Sequence, residues 1–223
     1  MLFRSLEKIA VQMPDIIVSD IMMPVMDGLE LCSEVKSNSE TSHIPVILLT
    51  AMTSTEQTKR GLEMGADDYI SKPFNYDILM LKIRKLLERR DMMHKAFSQK
   101  IDISPSEITV TSLDEKFIQR ALKVTEENMS NPEYSVKLLS RDMGVSRGHL
   151  YNKLLALTGR TPIEFIRIMR LKRAAQLLGK SQMSVSEIAY QVGFNDPRYF
   201  ARYFKEEFQL TPSEYAKKNI AEQ

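Results

Sequence analysis

"PDIIVSDIMMPVMDG", residues 14–28, sets an aspartate at the end of a short apolar run and then breaks the chain at Pro24 and Gly28. Asp15 to Ser19 is β-branched and apolar, short enough for a buried strand, so Asp20 falls where that strand ends. Two more runs of this kind follow, Val46 to Thr50 and Asp68 to Ser71. Amphipathic segments accompany them at Gly28 to Ser37, Thr55 to Met64 and Tyr76 to Arg89. Alternation of strand and helix predicts a parallel α/β sheet, whose functional groups gather at the carboxyl ends of the strands. Asp20, Thr50 and Lys72 all fall at such ends, which places Asp20 at the rim of the sheet.

Composition sets the outer limits. The chain has 223 residues, 43% hydrophobic and 27% charged, enough for two ordinary cores. No run approaches the roughly 18 apolar residues of a membrane span. Residues 1–14 lack the basic start and cleavage site of a signal peptide, so a cytoplasmic protein is expected. The single Cys32 cannot form an intrachain disulfide, and between Leu31 and Val35 it reads as core. The net charge of +2 conceals an uneven distribution. Residues 1–100 carry 13 Lys and Arg against 14 Asp and Glu, whereas residues 135–205 carry 13 against 4. So local an excess is the electrostatic footprint of a polyanion binder.

The first half resembles the receiver domain of bacterial response regulators. "SDIMMPVMDG", "IPVILLTA" and "GADDYISKPF" carry the likeness, with 30 residues from Asp20 to Thr50 and 22 from Thr50 to Lys72. The resemblance implies a flavodoxin-like fold with Asp20 as phosphoacceptor and Thr50 as the hydroxyl that answers the phosphoryl group. It also implies Lys72 as the cationic partner, Tyr69 as an aromatic switch, and a cis peptide between Lys72 and Pro73. The chemistry is coherent: a carboxylate nucleophile needs a cation to screen the incoming phosphoryl group and a nearby donor to report its arrival.

A receiver of that family begins with a strand ending in an acidic pair that binds Mg²⁺, then a helix and a second strand. Only thirteen residues precede "PDIIVSD", and Leu6 to Gln12 can supply just one helix. Of the family's protein ligands for Mg²⁺, the carboxylate of Asp20 and the backbone carbonyl of Met22 remain, an incomplete site for an ion that prefers six oxygens. The expectation is the C-terminal part of a longer protein or the product of an internal start at Met1, hence a truncated receiver, with a receiver that has itself lost the acid pair as the alternative; in isolation it is expected to be phosphorylated inefficiently.

"RRDMMHKAFSQKIDISPSEITVTSLDEKF" loses periodicity and gathers turn residues, which predicts a receiver portion over residues 1–90 and a linker over 91–111. Residues 112–223 then form a helical domain, opened by a capping box from Ser112 to Glu115 on a helix running to about Met129. That domain contains a repeat. "SVKLLSRDMGV" (135–145) aligns with "SVSEIAYQVGF" (184–194), and "LYNKLLALTGRTPIEF" (150–165) with "FARYFKEEFQLTPSEY" (200–215). Each copy reads as helix, tight turn at Gly144 or Gly193, second helix, then Thr-Pro opening a further helix. Two helix-turn-helix units in tandem predict two recognition helices.

This half resembles the DNA-binding domain of the AraC/XylS transcription activators over residues 112–218, most closely in "SEIAYQVGFNDPRYFARYFKEEFQLTPSEY". Receiver followed by such a domain is similar to the C-terminal end of a hybrid two-component regulator. That arrangement implies a phosphorylation-controlled transcription regulator with promoter DNA, RNA polymerase and a histidine kinase as partners. The kinase is expected within the same full-length chain, for which membrane anchoring and a homodimer are further expectations.

Helical geometry selects the candidate readers. Phe200, Phe204 and Phe208 share one face, which leaves Arg198, Arg202 and Lys205 outward on a helix capped by Asp196 and opened by Pro197. Arginine suits guanine because its fork matches O6 and N7. In the first copy Leu150 and Leu154 face inward, and Arg147, His149, Tyr151, Asn152 and Lys153 are the candidates. The family alignment favours Gly148, Tyr151 and Asn152 as readers, so Arg147 and Lys153 would hold phosphates. Pro162 to Leu178 reads as one rigid connecting helix on which Arg167, with Arg170 and Arg173, is a candidate phosphate contact.

Two other classes are weighed. An aspartate-nucleophile phosphohydrolase would want a second acid two residues after Asp20, and Met22 stands there. No enzyme is therefore expected. A regulator that binds DNA without phosphorylation, using a degenerate receiver for protein interaction, is the alternative function.

Overall fold

The computed structural model describes residues 4–51, 64–102 and 104–221. The expected helix from Thr55 lies, apart from Met64, outside the described residues. The chain divides into two compact units, residues 1–92 with 109–114 and residues 93–108 with 115–223.

In the first unit three parallel strands, β1 (Ile17–Asp20), β2 (Val46–Thr50) and β3 (Asp68–Ser71), stand in the order β1-β2-β3. Asp20 pairs in register with Leu49, and Thr50 with Ser71. The central strand is an unbroken apolar run because both of its faces are covered; Val46, Ile47 and Leu48 have no exposed surface. Helix α1 (Arg4–Val11) precedes the sheet, and α2 (Gly28–Ser37) follows β1. A reciprocal capping box starts α2: Glu30 N–H donates to Asp27 Oδ1 at 2.7 Å, and Asp27 N–H to Glu30 Oε2 at 3.2 Å. Leu31, Cys32 and Val35 on α2 close over Ile44, Val46 and Leu48. Burial pushes the Cys32 thiol up to about 11, which leaves it inert as well as enclosed.

One buried charge pair ties these elements together. Lys36 on α2 meets Asp67 just before β3 at 2.6 Å and donates to the carbonyl of Ile44 at 2.9 Å. Asp67 in turn accepts the N–H of Val46 at 2.8 Å, so both charges sit in filled hydrogen-bond shells.

Helix α3 runs from Tyr76 to Gln99, beyond the Arg89 that its periodicity suggests. Residues 91–99, expected as linker, are therefore helical. No glycine or proline interrupts 76–99, and Phe97 is wholly buried, so the helix has both the propensity and the anchor to continue. A single 3-10 turn (Pro105–Glu107) follows. Helix α4 (Ser112–Glu127) begins at Ser112 itself. Its cap is Thr111, whose hydroxyl accepts the N–H of Asp114 at 3.1 Å, one residue earlier than the Ser112 box expected.

The second unit is helical. α5 (Val136–Met143) and α6 (Arg147–Thr158) form the first helix-turn-helix, α7 (Pro162–Lys180) connects, α8 (Val185–Gln191) and α9 (Pro197–Phe208) form the second, and α10 (Pro212–Ala221) follows. Two apolar clusters underlie the two copies: Leu139, Leu150, Leu154 and Phe165 in the first, Ile188, Phe200 and Phe204 with Leu171 in the second. The turns repeat in detail. Val145 N–H donates to Ser140 O at 3.1 Å and Phe194 N–H to Ala189 O at 2.9 Å, with Gly144 at φ +69° and Gly193 at φ +83°. Both are Schellman closures that require a residue in the left-handed region.

Candidate functional site

Two regions carry the candidate residues, one in each unit. At the carboxyl rim of the sheet the turn after β1 folds back sharply: Gly28 N–H donates to Ile21 O at 2.9 Å. A Cβ on Gly28 would lie 2.3 Å from the carbonyl oxygen of Asp20, so the motif's glycine is required by close approach to the aspartate's own backbone. Val25 takes φ +79° in this turn, a strained setting for a β-branched residue.

Asp20 stands partly exposed at that rim, and Lys72 hydrogen-bonds its carboxylate. The N–H of Met22 adds a contact to Asp20 Oδ1 at 3.2 Å. The Lys72 hydrogen bond holds the Asp20 carboxyl below the usual carboxylate range. Lys72 is itself placed by its backbone, whose N–H donates to Thr50 O at 2.6 Å, and the Lys72–Pro73 peptide is cis. Thr50 is buried at the end of β2. Tyr69 is half-buried with its hydroxyl inside, where burial pushes it up to about 12. The strands thus bring Asp20, Thr50 and Lys72 to one edge, with Tyr69 two residues before the end of β3. Among the described residues no group of three acidic, histidine or cysteine side chains could hold a metal ion. Asp20 and the Met22 carbonyl do not by themselves make an Mg²⁺ site, since that ion demands near-octahedral oxygen ligation.

In the helical unit, α6 starts at Ser146, whose hydroxyl accepts the N–H of His149 at 3.1 Å. α9 starts at Asp196, whose carboxylate accepts the N–H of Arg198 at 2.8 Å. The offset of 50 between the copies pairs Asn152 with Arg202, and both are exposed. Arg147, Tyr151 and Lys205 are exposed as well. Lys153 is not: it is 1% exposed, contrary to its place among the outward candidates. Leu150, Lys153, Leu154 and Leu157 fall at the i, i+3, i+4, i+7 positions of one stripe, and that stripe faces the core. His149 is half-buried and stacks on Phe117 with ring centroids 5.7 Å apart, so its ring faces protein.

The arginines differ in how they are held. Arg198 closes a fork on its own capping residue, with Nη2 2.8 Å from Asp196 Oδ2 and Nε 3.2 Å from both carboxylate oxygens. That pairing keeps the Asp196 carboxyl below its ordinary range. Arg202 lies over the rings of Tyr199 and Tyr203, 5.1 and 4.9 Å from their centroids, with Glu206 3.9 Å away. Arg167 lies 4.2 Å over the Tyr203 ring and is only partly exposed. Arg170 turns inward to the carbonyl of Asn131 at 2.7 Å, and burial lowers its affinity for the proton. Tyr199, 55% exposed beside Arg198 and Arg202, is a surface residue that charge-based reading passes over. Its only sequence signal is its place at the helix start, equivalent to His149.

Comparison with known proteins follows the same division. The response regulator receiver domain family matches residues 3–84, and a helix-turn-helix domain family matches residues 139–218. "Histidine kinase P4" of Formosa agariphila is 49% identical over 203 residues, which is 91% of this chain and 15% of that protein. "Response regulator MprA" of Mycobacterium ulcerans is 32% identical over 122 residues, covering 55% of this chain and 52% of that one. The chain thus spans about half or less of these relatives. Among solved structures, an AraC-type transcriptional regulator from Chromobacterium violaceum is 25% identical with a TM-score of 0.46, covering 49% of this chain and 96% of that one. The receiver domain of a signal transduction histidine kinase from Syntrophus aciditrophicus is 39% identical with a TM-score of 0.36, covering 38% and 64%. Residues 3–84 thus match the response regulator receiver domain family and residues 139–218 a helix-turn-helix domain family, side by side in one chain.

Proposed function

We propose that the chain is the output end of a two-component system: a sequence-specific transcription regulator, an activator by family habit, controlled through Asp20. The observation that carries this reading is the exposure of Asn152 and Arg202 at equivalent positions of two capped helices that follow matching Schellman turns. Asparagine reads adenine and arginine reads guanine through bidentate contacts in the major groove. Tyr151, Arg198 and Lys205 flank them, and Arg147 serves the phosphates. Lys153 and His149, both turned into the protein, have no part in the interface. Arg167 acts mainly by bracing Tyr203.

Asp20 is the phosphoacceptor in this reading. A carboxylate oxygen bonds to phosphorus as the bond to a phosphohistidine nitrogen breaks, and the leaving electron pair returns to the imidazole. Lys72 screens the added charge, while Thr50 and Tyr69 respond to it. The likeness to a histidine kinase supports a kinase partner within the same full-length protein. Promoter DNA, RNA polymerase and a second copy of the chain are the remaining partners, and no catalytic activity of its own is assigned. No helix among the described residues is long and apolar enough to cross a membrane, which suits a cytoplasmic site of action under a membrane-anchored parent.

That Asp20 and the Met22 carbonyl do not by themselves make an Mg²⁺ site favours a second reading, binding to DNA independently of phosphorylation. Titration of labelled double-stranded DNA at several salt concentrations tests the common core of both. Binding whose logarithm falls linearly with the logarithm of salt is expected. Absence of binding at low salt would overturn both readings, and a loss of phosphodonor-stimulated binding in Asp20→Asn separates them.

A further inference from the structure

Residues 93–108 belong to the helical unit, although they precede its repeat by more than twenty residues. They touch both copies. Phe97 has no exposed surface and stacks on Phe165, ring centroids 5.6 Å apart and planes at 7°, within the first apolar cluster. Ile101 packs on the second cluster. His94 Nε2 lies 2.8 Å from the carbonyl of Ala156 in the last turn of α6. Lys172 on the connecting helix donates to the carbonyl of Phe97, and Gln176 donates to Asp102 at 2.5 Å.

Among the described residues, one side chain bridges the segment, the first copy and the second. Arg160, just after α6, donates through Nη2 to Ser98 Oγ at 3.0 Å and to Glu207 Oε1, in the last turn of α9, at 3.3 Å. A cleft of about 510 Å³ lies here, lined by Ser98 and Gln99 on one side and by Tyr203, Glu206 and Phe208 on the other. Arg160 and Glu207 line that cleft, and the partly buried Arg160 pair links the segment to α9 across it. We propose that residues 93–108 are a brace across the two helix-turn-helix copies, and that Arg160 is the positioning residue through which the brace sets the place of the second recognition helix. The inference rests on reading Asn152 and Arg202 as the residues that meet DNA.

Two modules on one ligand gain affinity only when their separation matches that of their sites, so a loosened brace should cost two-site binding and spare one-site binding. The test uses the full chain, DNA enriched by that chain from a random duplex pool, the same DNA with one part scrambled, and versions with base pairs inserted between the parts. Arg160→Met should bind the two-part DNA about tenfold more weakly and change one-part binding by less than about twofold. Its penalty for inserted base pairs should also be smaller than that of the unaltered chain. Equal loss on both DNAs would make Arg160 a DNA contact and overturn the brace, as would unchanged binding with an unchanged spacing preference. If circular dichroism shows that Arg160→Met fails to fold, Glu207→Gln, which keeps the Ser98 contact, must show the same flattened spacing preference or the proposal falls. Failure of the unaltered chain to enrich any sequence would instead overturn the DNA reading itself.

Discussion

Lys72, the residue after β3, hydrogen-bonds the carboxylate of Asp20 at the end of β1, with the whole of β2 between their strands. The register that puts Thr50 opposite Ser71 and Asp20 opposite Leu49 makes this reach possible. The lysine is what holds Asp20 ionised at lower pH than a free aspartate.

Lys72→Met should therefore move the Asp20 titration up, toward the ordinary aspartate range. A carboxylate with a depressed folded pKa stabilises above its unfolded value, and that contribution disappears as pH falls through the folded value. Carbon-detected NMR of the Asp20 carboxyl reads the change, and an unmoved titration would show that Lys72 does not govern the group.

The two turn glycines should differ in what they tolerate. A Cβ at Gly144 meets nothing within 4 Å, so Gly144→Ala should cost only the left-handed backbone, about 1 to 2 kcal/mol. A Cβ at Gly193 would lie 2.3 Å from the carbonyl of Met129, so Gly193→Ala should cost clearly more. Denaturant unfolding followed by helical ellipticity compares them, and equal losses would contradict the packing at Gly193.

Lys172 is 3% exposed, and burial pushes its ammonium down to about 8 from 10.5. Between those values the unfolded chain holds a proton that the folded chain has released, so stability should rise with pH across that window. The rise is about 3 kcal/mol at most. Lys172→Met should lose this slope while keeping the aliphatic contact with Phe97; a variant with an unchanged slope would mean that the folded ammonium keeps its proton.

Much of this arrangement was legible in the sequence, for reasons that also explain the failures. β2 and β3 match their expected runs residue for residue; for β2, buried on both faces, the apolar run leaves no ambiguity, whereas β3 is a partly exposed edge strand. The repeat announced both turns, since a Schellman closure needs its glycine at a fixed place. Periodicity ends α3 at Arg89 because its apolar stripe changes partners along the way. Met93, Ala96 and Phe97 face the helical cluster and not the sheet, so no single face continues. Charge alone sets Lys153 outward, but the stripe it shares with Leu150 and Leu157 places it inward. His149 is withheld by Phe117, a tertiary stacking with no local signal, whereas Arg198 stays exposed while paired with its own capping residue Asp196.

Enrichment of a random duplex pool by the full chain, run beside Arg202→Ala, tests the central claim most directly. The unaltered chain should select a two-part element whose centres lie about one helical turn, 34 to 36 Å, apart. Arg202→Ala should select the same element with one or two positions relaxed, a loss of roughly 1 to 3 kcal/mol in discrimination there. A pool that stays random, or a variant that loses affinity equally for every sequence, would contradict the placement of α9 in the groove.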